Sequence, residues 1–342
     1  KTCAGIQQAL EEENREIPCM TRPKVLLTRP WPDAAQAYMQ AHYNTTVNDS
    51  GKPLTPEQLK AAMTEYDALC PTVTDKLTAE IFATPNARVR MIGNFGAGYE
   101  HIDIEAAKEA GIVVSNTPDV LTEATADIAL MLMLMASRRA SEGERQLRTG
   151  GWKGWGTTAL MGQSLEGKTL GLVGFGRIAQ ATAQKAQTAL GMKIAYFSRR
   201  QAAADIEAAH EARYVASLDE LAAQSDVLSL HTPGGPETHH MVNARLLGLM
   251  KPTAILINTA RGSVVNEDDL AAALKAGTIW SAGLDVYERE PVVNPALLPL
   301  NNAVLLPHLG SATIETRNAM GMRAAKNVDQ FFAGEPVGDR VA

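Results

Sequence analysis

Short apolar runs alternate with longer segments of helical period along most of this chain. In the first third the runs fall at residues 25–28, 68–71, 89–93 and 112–114, with Gly or Pro at their exits, as in Asn94-Phe95-Gly96-Ala97-Gly98. From Lys168 onward they recur at 169–173, 193–197, 227–230, 254–257, 281–284 and 303–306. Such runs, joined by helical stretches, predict βαβ units and parallel sheets. Most lack polar–apolar alternation, which suits strands covered on both faces. Between the two series lies one long helical stretch, about 122–147, with Thr122 as its expected cap and Gly150-Gly151 as its end. Its middle, 128–136, is apolar on nearly every side and is expected to be buried, against both domains or a second subunit. That run is too short to span a bilayer, which takes ~20 residues. A last helix, 313–333, is placed to cross back to the first series.

The expected architecture is therefore α/β, with two parallel-sheet domains. One is a Rossmann-type dinucleotide-binding domain at 119–307. The other is a smaller, flavodoxin-like substrate domain made of 20–118 and the returning segment 308–342. The length of 342 residues fits two domains. Crossings near Pro118 and His308 would act as hinges, so that closure over a cleft excludes water. Residues 1–19 are polar and acidic, without an apolar core segment, and read as an appendage rather than a secretory signal.

A net charge of −6 argues against a general affinity for nucleic acid, which needs a basic surface. Cys3, Cys19 and Cys70 form no CxxC pair, so inert thiols in a reducing cytoplasm are expected. His231, His239 and His240 invite a metal reading, but only Glu237 stands at ligand spacing beside them, and no metal site is expected.

The first chemistry-bearing motif follows the run 169–173. Gly174-Phe175-Gly176-Arg177-Ile178-Ala179 is a GxGxxA turn opening a helix. Its first Gly permits the turn, its second lets backbone approach a pyrophosphate, and the small third residue lets helix and strand pack. The pyrophosphate would rest on the helix N-terminus. A site for NAD usually offers Asp or Glu ~20 residues on. Here the next strand ends in Ser198-Arg199-Arg200. A hydroxyl and two guanidiniums suit a 2′-phosphate, so NADPH is the expected cofactor, with NADH possible.

Ligands of open α/β sheets bind outside the carboxyl ends of the strands. The residues just past those ends are Asn258-Thr259-Ala260-Arg261-Gly262, then Asp285 with Glu290 shortly after, then His308-Leu309-Gly310. One arginine, two acids and one histidine thus converge on the edge that holds the cofactor turn. With the motifs Gly283-Leu284-Asp285-Val286, Glu290-Pro291, His308-Leu309-Gly310-Ser311-Ala312-Thr313 and Asn116-Thr117-Pro118-Asp119, the chain resembles the D-2-hydroxyacid dehydrogenase family from about residue 25 to 337. Within it, the chain is most similar to the glyoxylate/hydroxypyruvate reductases.

The resemblance implies reduction of a small 2-keto acid. His308 would be the general acid, suited by an imidazole's ordinary pKa of about 6.5. Glu290 would hold its far nitrogen, and Arg261 would clamp the carboxylate or polarise the carbonyl. Asp285 would accept from the nicotinamide carboxamide. Thr232, Pro233, Thr238, Thr259, Ala260 and Gly310 would line the cofactor, and the amides of Ala97 and Gly98 would hold the substrate carboxylate. A homodimer is implied too. Two other readings use the same residues: a reductase of larger sugar-derived keto acids, and a dinucleotide-sensing, corepressor-like binding protein.

Overall fold

The computed structural model describes residues 22–342. The expectations for residues 1–19, with Cys3 and Cys19, lie outside them. The chain divides into two compact units, one ending at Thr117 and resuming at Gly321–Ala342, the other Pro118–Met320. The return crossing is thus not at His308 as expected. Residues 308–320 belong with the second unit because Asp285 and Thr125 hold the backbone there, and the division falls inside the helix Ile314–Phe332.

The first unit carries a five-stranded parallel sheet of β1 (Lys24–Leu27), β2 (Asn44–Val47), β3 (Ala68–Cys70), β4 (Met91–Gly93) and β5 (Val113–Ser115), in the order β2-β1-β3-β4-β5. That is the flavodoxin-like order. Two apolar clusters cover the sheet, one around Leu26, Leu69 and Ile92, the other around Val25, Leu27, Cys70 and Met91. Burial pushes the Cys70 thiol up to about 12, so it stays protonated and inert. After β4, Asn94 Nδ2 donates to the carbonyls of Gly96 (3.0 Å) and Gly98 (2.9 Å), and Asn116 Nδ2 donates to that of Ala97 (2.7 Å). Those bonds hold carbonyls of the Ala97–Gly98 loop within its own unit.

The second unit carries a seven-stranded parallel sheet: β6 (Thr169–Val173), β7 (Lys193–Phe197), β8 (Ala212–Tyr214), β9 (Val227–Leu230), β10 (Ile255–Asn258), β11 (Ser281–Leu284) and β12 (Ala303–Leu305). Their order is β12-β11-β10-β9-β6-β7-β8, which reverses direction between β6 and β9, the Rossmann switch point. Successive residues feed opposite cores: Leu172, Ile255 and Ile257 one face, Val173, Leu228 and Leu256 the other. This is why the runs read as continuously apolar. Each fully buried Leu contributes about 1.5–3 kcal/mol.

The long central helix is two helices. Thr122–Ser137 ends before Arg139, which takes a left-handed φ of 53°, and Ala140–Arg148 follows. Arg139 donates to Glu142 from Nε and Nη2, one edge of the guanidinium, at 2.9 Å each. Thr122 is not the cap; Leu121 holds that position without a side-chain bond. The apolar stretch lies on the seven-stranded sheet through Ala129, Leu132, Met133 and Ala136. Gly283 makes room for it, since a Cβ there would meet Leu132 at 2.9 Å. Among the described residues, no helix is long and apolar enough to cross a membrane.

Candidate active site

Register sets the site. Val173 pairs with Leu230, Leu230 with Asn258, Asn258 with Leu284, and Leu284 with Leu305. Four strand ends therefore release Gly174, Thr259, Asp285 and the 306–308 segment along one edge. A cavity of about 380 Å³ lined by Met135, Arg139, Trp280 and Asn302 among others lies at the amino ends of β11 and β12, away from this edge.

At the switch point Gly174 has a φ of 91°, donates to the Phe197 carbonyl (2.7 Å), and comes so near the end of β9 that a Cβ would stand 2.6 Å from the His231 oxygen. Gly176 begins the helix Arg177–Leu190, where an added Cβ would meet nothing within 4 Å. No side chain caps this helix and no acid stands in its first turn. Its N–H groups and dipole therefore suit an anion. Ala179 is fully buried against β6, as the small third position requires. Phe175 turns its ring inward to stack on Tyr196 at 4.2 Å, so only its backbone faces the turn. Arg177 is ion-paired with Asp119, a residue that motif reading left without a role. Gly174→Ala should lower both dinucleotide affinity and the thermal midpoint, since a strained left-handed residue alone costs roughly 1–3 kcal/mol. Isothermal titration and a melt check this; unchanged values in both would contradict the close approach described.

At the end of β7, Arg199 and Arg200 are exposed. Arg199 lies 3.0 Å from Glu237 in the Thr232–Thr238 loop, and the Ser198 hydroxyl donates to the Arg200 carbonyl. In that loop Thr238 Oγ1 donates to Pro233 O at 2.8 Å, closing the turn on itself. Thr259 adds a buried hydroxyl without a hydrogen-bond partner at the end of β10. The uncapped helix, the Gly174 approach and this orphaned hydroxyl fit a dinucleotide.

His308 occupies a left-handed φ of 55°, a conformation that persists only where the surroundings enforce it. Buried Asp285 supplies the enforcement, accepting from the amides of Leu309 (2.6 Å) and Gly310 (2.7 Å). Burial pushes the Asp285 carboxyl up, against the lowering effect of those two amides. The expected contact of Asp285 with a carboxamide is therefore joined by an observed one, anchoring the histidine loop. Thr125 Oγ1 holds Gly310 from the other side, donating to its carbonyl at 3.2 Å.

Glu290 is fixed at both oxygens. Oε1 accepts from the Tyr287 amide (3.0 Å) and Oε2 from His308 Nδ1 (2.8 Å). Burial alone would push this carboxyl up, but the hydrogen bond and charge of His308 outweigh it and hold the group below the usual range; Arg261 also lowers it. A carboxylate only accepts, so Nδ1 carries the proton and Nε2 is the atom left to a ligand. His231, the other histidine at a strand end, is pushed down to about 4 by burial and pairs with Ser229 (2.9 Å). It is neutral near pH 7.

Arg261 sits in a braced loop. Asn258 Nδ2 donates to its carbonyl (2.9 Å), Asn258 Oδ1 accepts from the Ala260 amide (3.0 Å), and Arg261 Nη1 donates to Ala260 O (2.7 Å). Gly262 lets this loop touch the Glu290 loop, since a Cβ there would lie 1.8 Å from the Tyr287 carbonyl carbon. The second unit by itself thus brings together Arg261, Asp285, Glu290 and His308 beside the dinucleotide turn. Ala97 and Gly98 lie in the first unit. Asn258, Thr125 and Asp119 were missed as supports; the position of Asn258 at a strand's last residue was the available signal.

An anion-binding turn at a Rossmann switch point, with an imidazole–carboxylate pair and a guanidinium on the same edge, defines a dinucleotide-dependent oxidoreductase. The model of the D-isomer specific 2-hydroxyacid dehydrogenase NAD binding domain matches residues 130–310. A glyoxylate reductase of Thermococcus litoralis is 44% identical over 92% of this chain and 95% of its own. A glycerate dehydrogenase of Hyphomicrobium methylovorum is 38% identical over 92% and 98%. The crystal structure of an NADPH-dependent glyoxylate/hydroxypyruvate reductase from Sinorhizobium meliloti, in complex with NADP and malonate, superposes with a TM-score of 0.83 at 35% identity, covering 94% of this chain and 97% of that one. The chain belongs to the D-2-hydroxyacid dehydrogenase family. Its cofactor is a nicotinamide dinucleotide.

Proposed function

We propose that the protein reduces small 2-keto acids, glyoxylate and hydroxypyruvate among them, to D-2-hydroxy acids, and that it prefers NADPH to NADH. The observation that carries the reading is the His308–Glu290 pair beside Arg261, on the strand edge that also bears the dinucleotide turn. The names of the relatives support the substrate class. The helix start at Arg177 and the Gly174–Gly176 backbone would hold the pyrophosphate. The bound dinucleotide supplies hydride to the keto carbon.

The chain's own residues do the rest. His308 Nε2 delivers the proton that the carbonyl oxygen takes up as hydride reaches its carbon, so two electrons and two hydrogens are accounted for. The carboxylate of Glu290 keeps Nδ1 protonated and stabilises the imidazolium before the transfer. The Arg261 guanidinium draws charge toward the carbonyl oxygen and orients the acid's carboxylate. Asp285, through the Leu309 and Gly310 amides, keeps the imidazole aimed.

Cofactor preference rests on Ser198, Arg199 and Arg200. Hydrogen bonds to charged groups contribute about 1.5–3 kcal/mol. The double substitution Arg199→Ala, Arg200→Ala should therefore lower kcat/KM for NADPH by about 10–10²-fold and leave that for NADH nearly unchanged. Parallel kinetics with both cofactors check this. A wild-type preference for NADH would defeat the assignment.

A further inference from the structure

Away from His308, three metal-ligating side chains converge in the second unit. His240 Nε2 lies 2.6 Å from Glu288 Oε1. The rings of His239 and His240 stack with centroids 3.8 Å apart and planes 29° from parallel. One ligand atom from each of His239, His240 and Glu288 lies within 4.8 Å of the other two. Sequence spacing offered only Glu237 as a carboxylate beside these histidines, and Glu237 is engaged by Arg199. The carboxylate that reaches them comes instead from 48 residues away.

The cluster is held from several directions. The His239 amide donates to Gly235 O and the His240 amide to Ser263 O, both at 2.9 Å. Asn243 Nδ2 donates to His240 O at 3.1 Å, and the Glu288 amide donates to Glu267 Oε1 at 2.7 Å. His240 and Glu288 side chains are 31% and 26% exposed, and His239 is open to solvent. An ion would thus have a route in and two partly shielded ligands. A His–Glu hydrogen bond by itself uses only two of the three groups.

We propose that His239, His240 and Glu288 bind one borderline divalent d-block cation of the Zn²⁺ class, with a fourth position left to water. Two imidazoles and one carboxylate suit zinc, cobalt, nickel or copper, whereas calcium and magnesium demand oxygen ligands. Zinc bonds to nitrogen and oxygen of about 2.0–2.2 Å put tetrahedral ligand atoms roughly 3.3 Å apart. His240 and Glu288 need part by less than about 1 Å to admit the ion, and the exposed His239 ring must turn out of its stack with His240 so that its in-plane lone pair faces the same point. Its effect would be felt locally. Glu288 stands two residues before Glu290, and its amide nitrogen would lie 2.3 Å from a Cβ on Gly262, the neighbour of Arg261. The ion ties the His239–His240 turn to the loop that carries Glu290. The proposal departs from the expectation, drawn from spacing alone, that the chain has no metal site.

The test is calorimetric titration of untagged, chelator-stripped, full-length protein with Zn²⁺ alone, followed by Co²⁺ absorption spectra. The His308–Glu290 pair is a competing ligand set, so His308→Ala is titrated in parallel. One ion should bind the wild type and His308→Ala alike. Glu288→Gln keeps an acceptor for His240 but loses the charge, and should weaken binding at least about ten-fold. His239→Ala, at an exposed position, should weaken it as much and abolish the tetrahedral Co²⁺ bands. No zinc binding by the wild type, equal binding by His239→Ala, or a site lost in His308→Ala would each overturn the proposal.

Discussion

His308→Ala should lower kcat by about 10²–10⁴, the usual range for loss of a positioned general acid, while dinucleotide binding stays close to that of the wild type. The two readouts separate because His308 contacts Glu290 and lies past β12, whereas the turn at Gly174–Gly176 is built from β6 and its helix. The left-handed φ of 55° at His308 raises a complication. Alanine tolerates that conformation poorly and could disturb the Leu309–Gly310 amides that Asp285 holds. His308→Asn is the companion variant, since asparagine accepts left-handed backbone more readily. Both variants should be equally slow. Near-normal turnover of His308→Asn would remove His308 from proton transfer and leave it as a loop residue.

Arg261→Ala should lower kcat/KM for the keto acid by roughly 10²–10³, the scale for loss of one group aimed at developing negative charge on oxygen. Dinucleotide binding should remain measurable. Arg261→Lys should recover part of the loss, because a lysine keeps the charge but not the two-pronged geometry. Either change removes or alters the guanidinium bond to the Ala260 carbonyl, but the two bonds from Asn258, to the Arg261 carbonyl and from the Ala260 amide, remain and should keep the loop in place. A collapse of cofactor binding with keto-acid affinity intact would assign Arg261 to the wrong ligand.

Much of this was legible in the chain because two-sided burial writes itself as continuous apolar runs. β6, β7, β9 and β11 fall where the runs place them. β2 was not legible: Asn44-Thr45-Thr46-Val47 is a polar edge strand whose burial alternates. β8, three residues at the far edge of the other sheet, escaped for the same reason. The break before Arg139 was invisible because arginine is a good helix former. It comes from one left-handed residue and a side-chain pair with Glu142.

The site divides in the same way. That Arg261, Glu290 and His308 lie together was legible from the rule that strand ends carry ligand chemistry, together with motif resemblance. The anchoring role of Asp285 was not, because its partners are backbone amides 24 and 25 residues on, which no side-chain pattern records. Glu288 beside His240 is another long-range meeting. Phe175 shows the converse, a motif residue whose side chain serves the core instead of the ligand.

The central claim is that this strand edge performs reduction rather than sensing. Its most direct test is the decay of reduced-nicotinamide absorbance when purified protein and NADPH meet a panel of 2-keto acids that includes glyoxylate, hydroxypyruvate and larger sugar-derived acids, with NADH run in parallel. The account predicts multiple turnovers that begin only when keto acid is added, fastest with the small acids, faster with NADPH, and lost in His308→Asn. Tight dinucleotide binding with no turnover on any acid of the panel would contradict it.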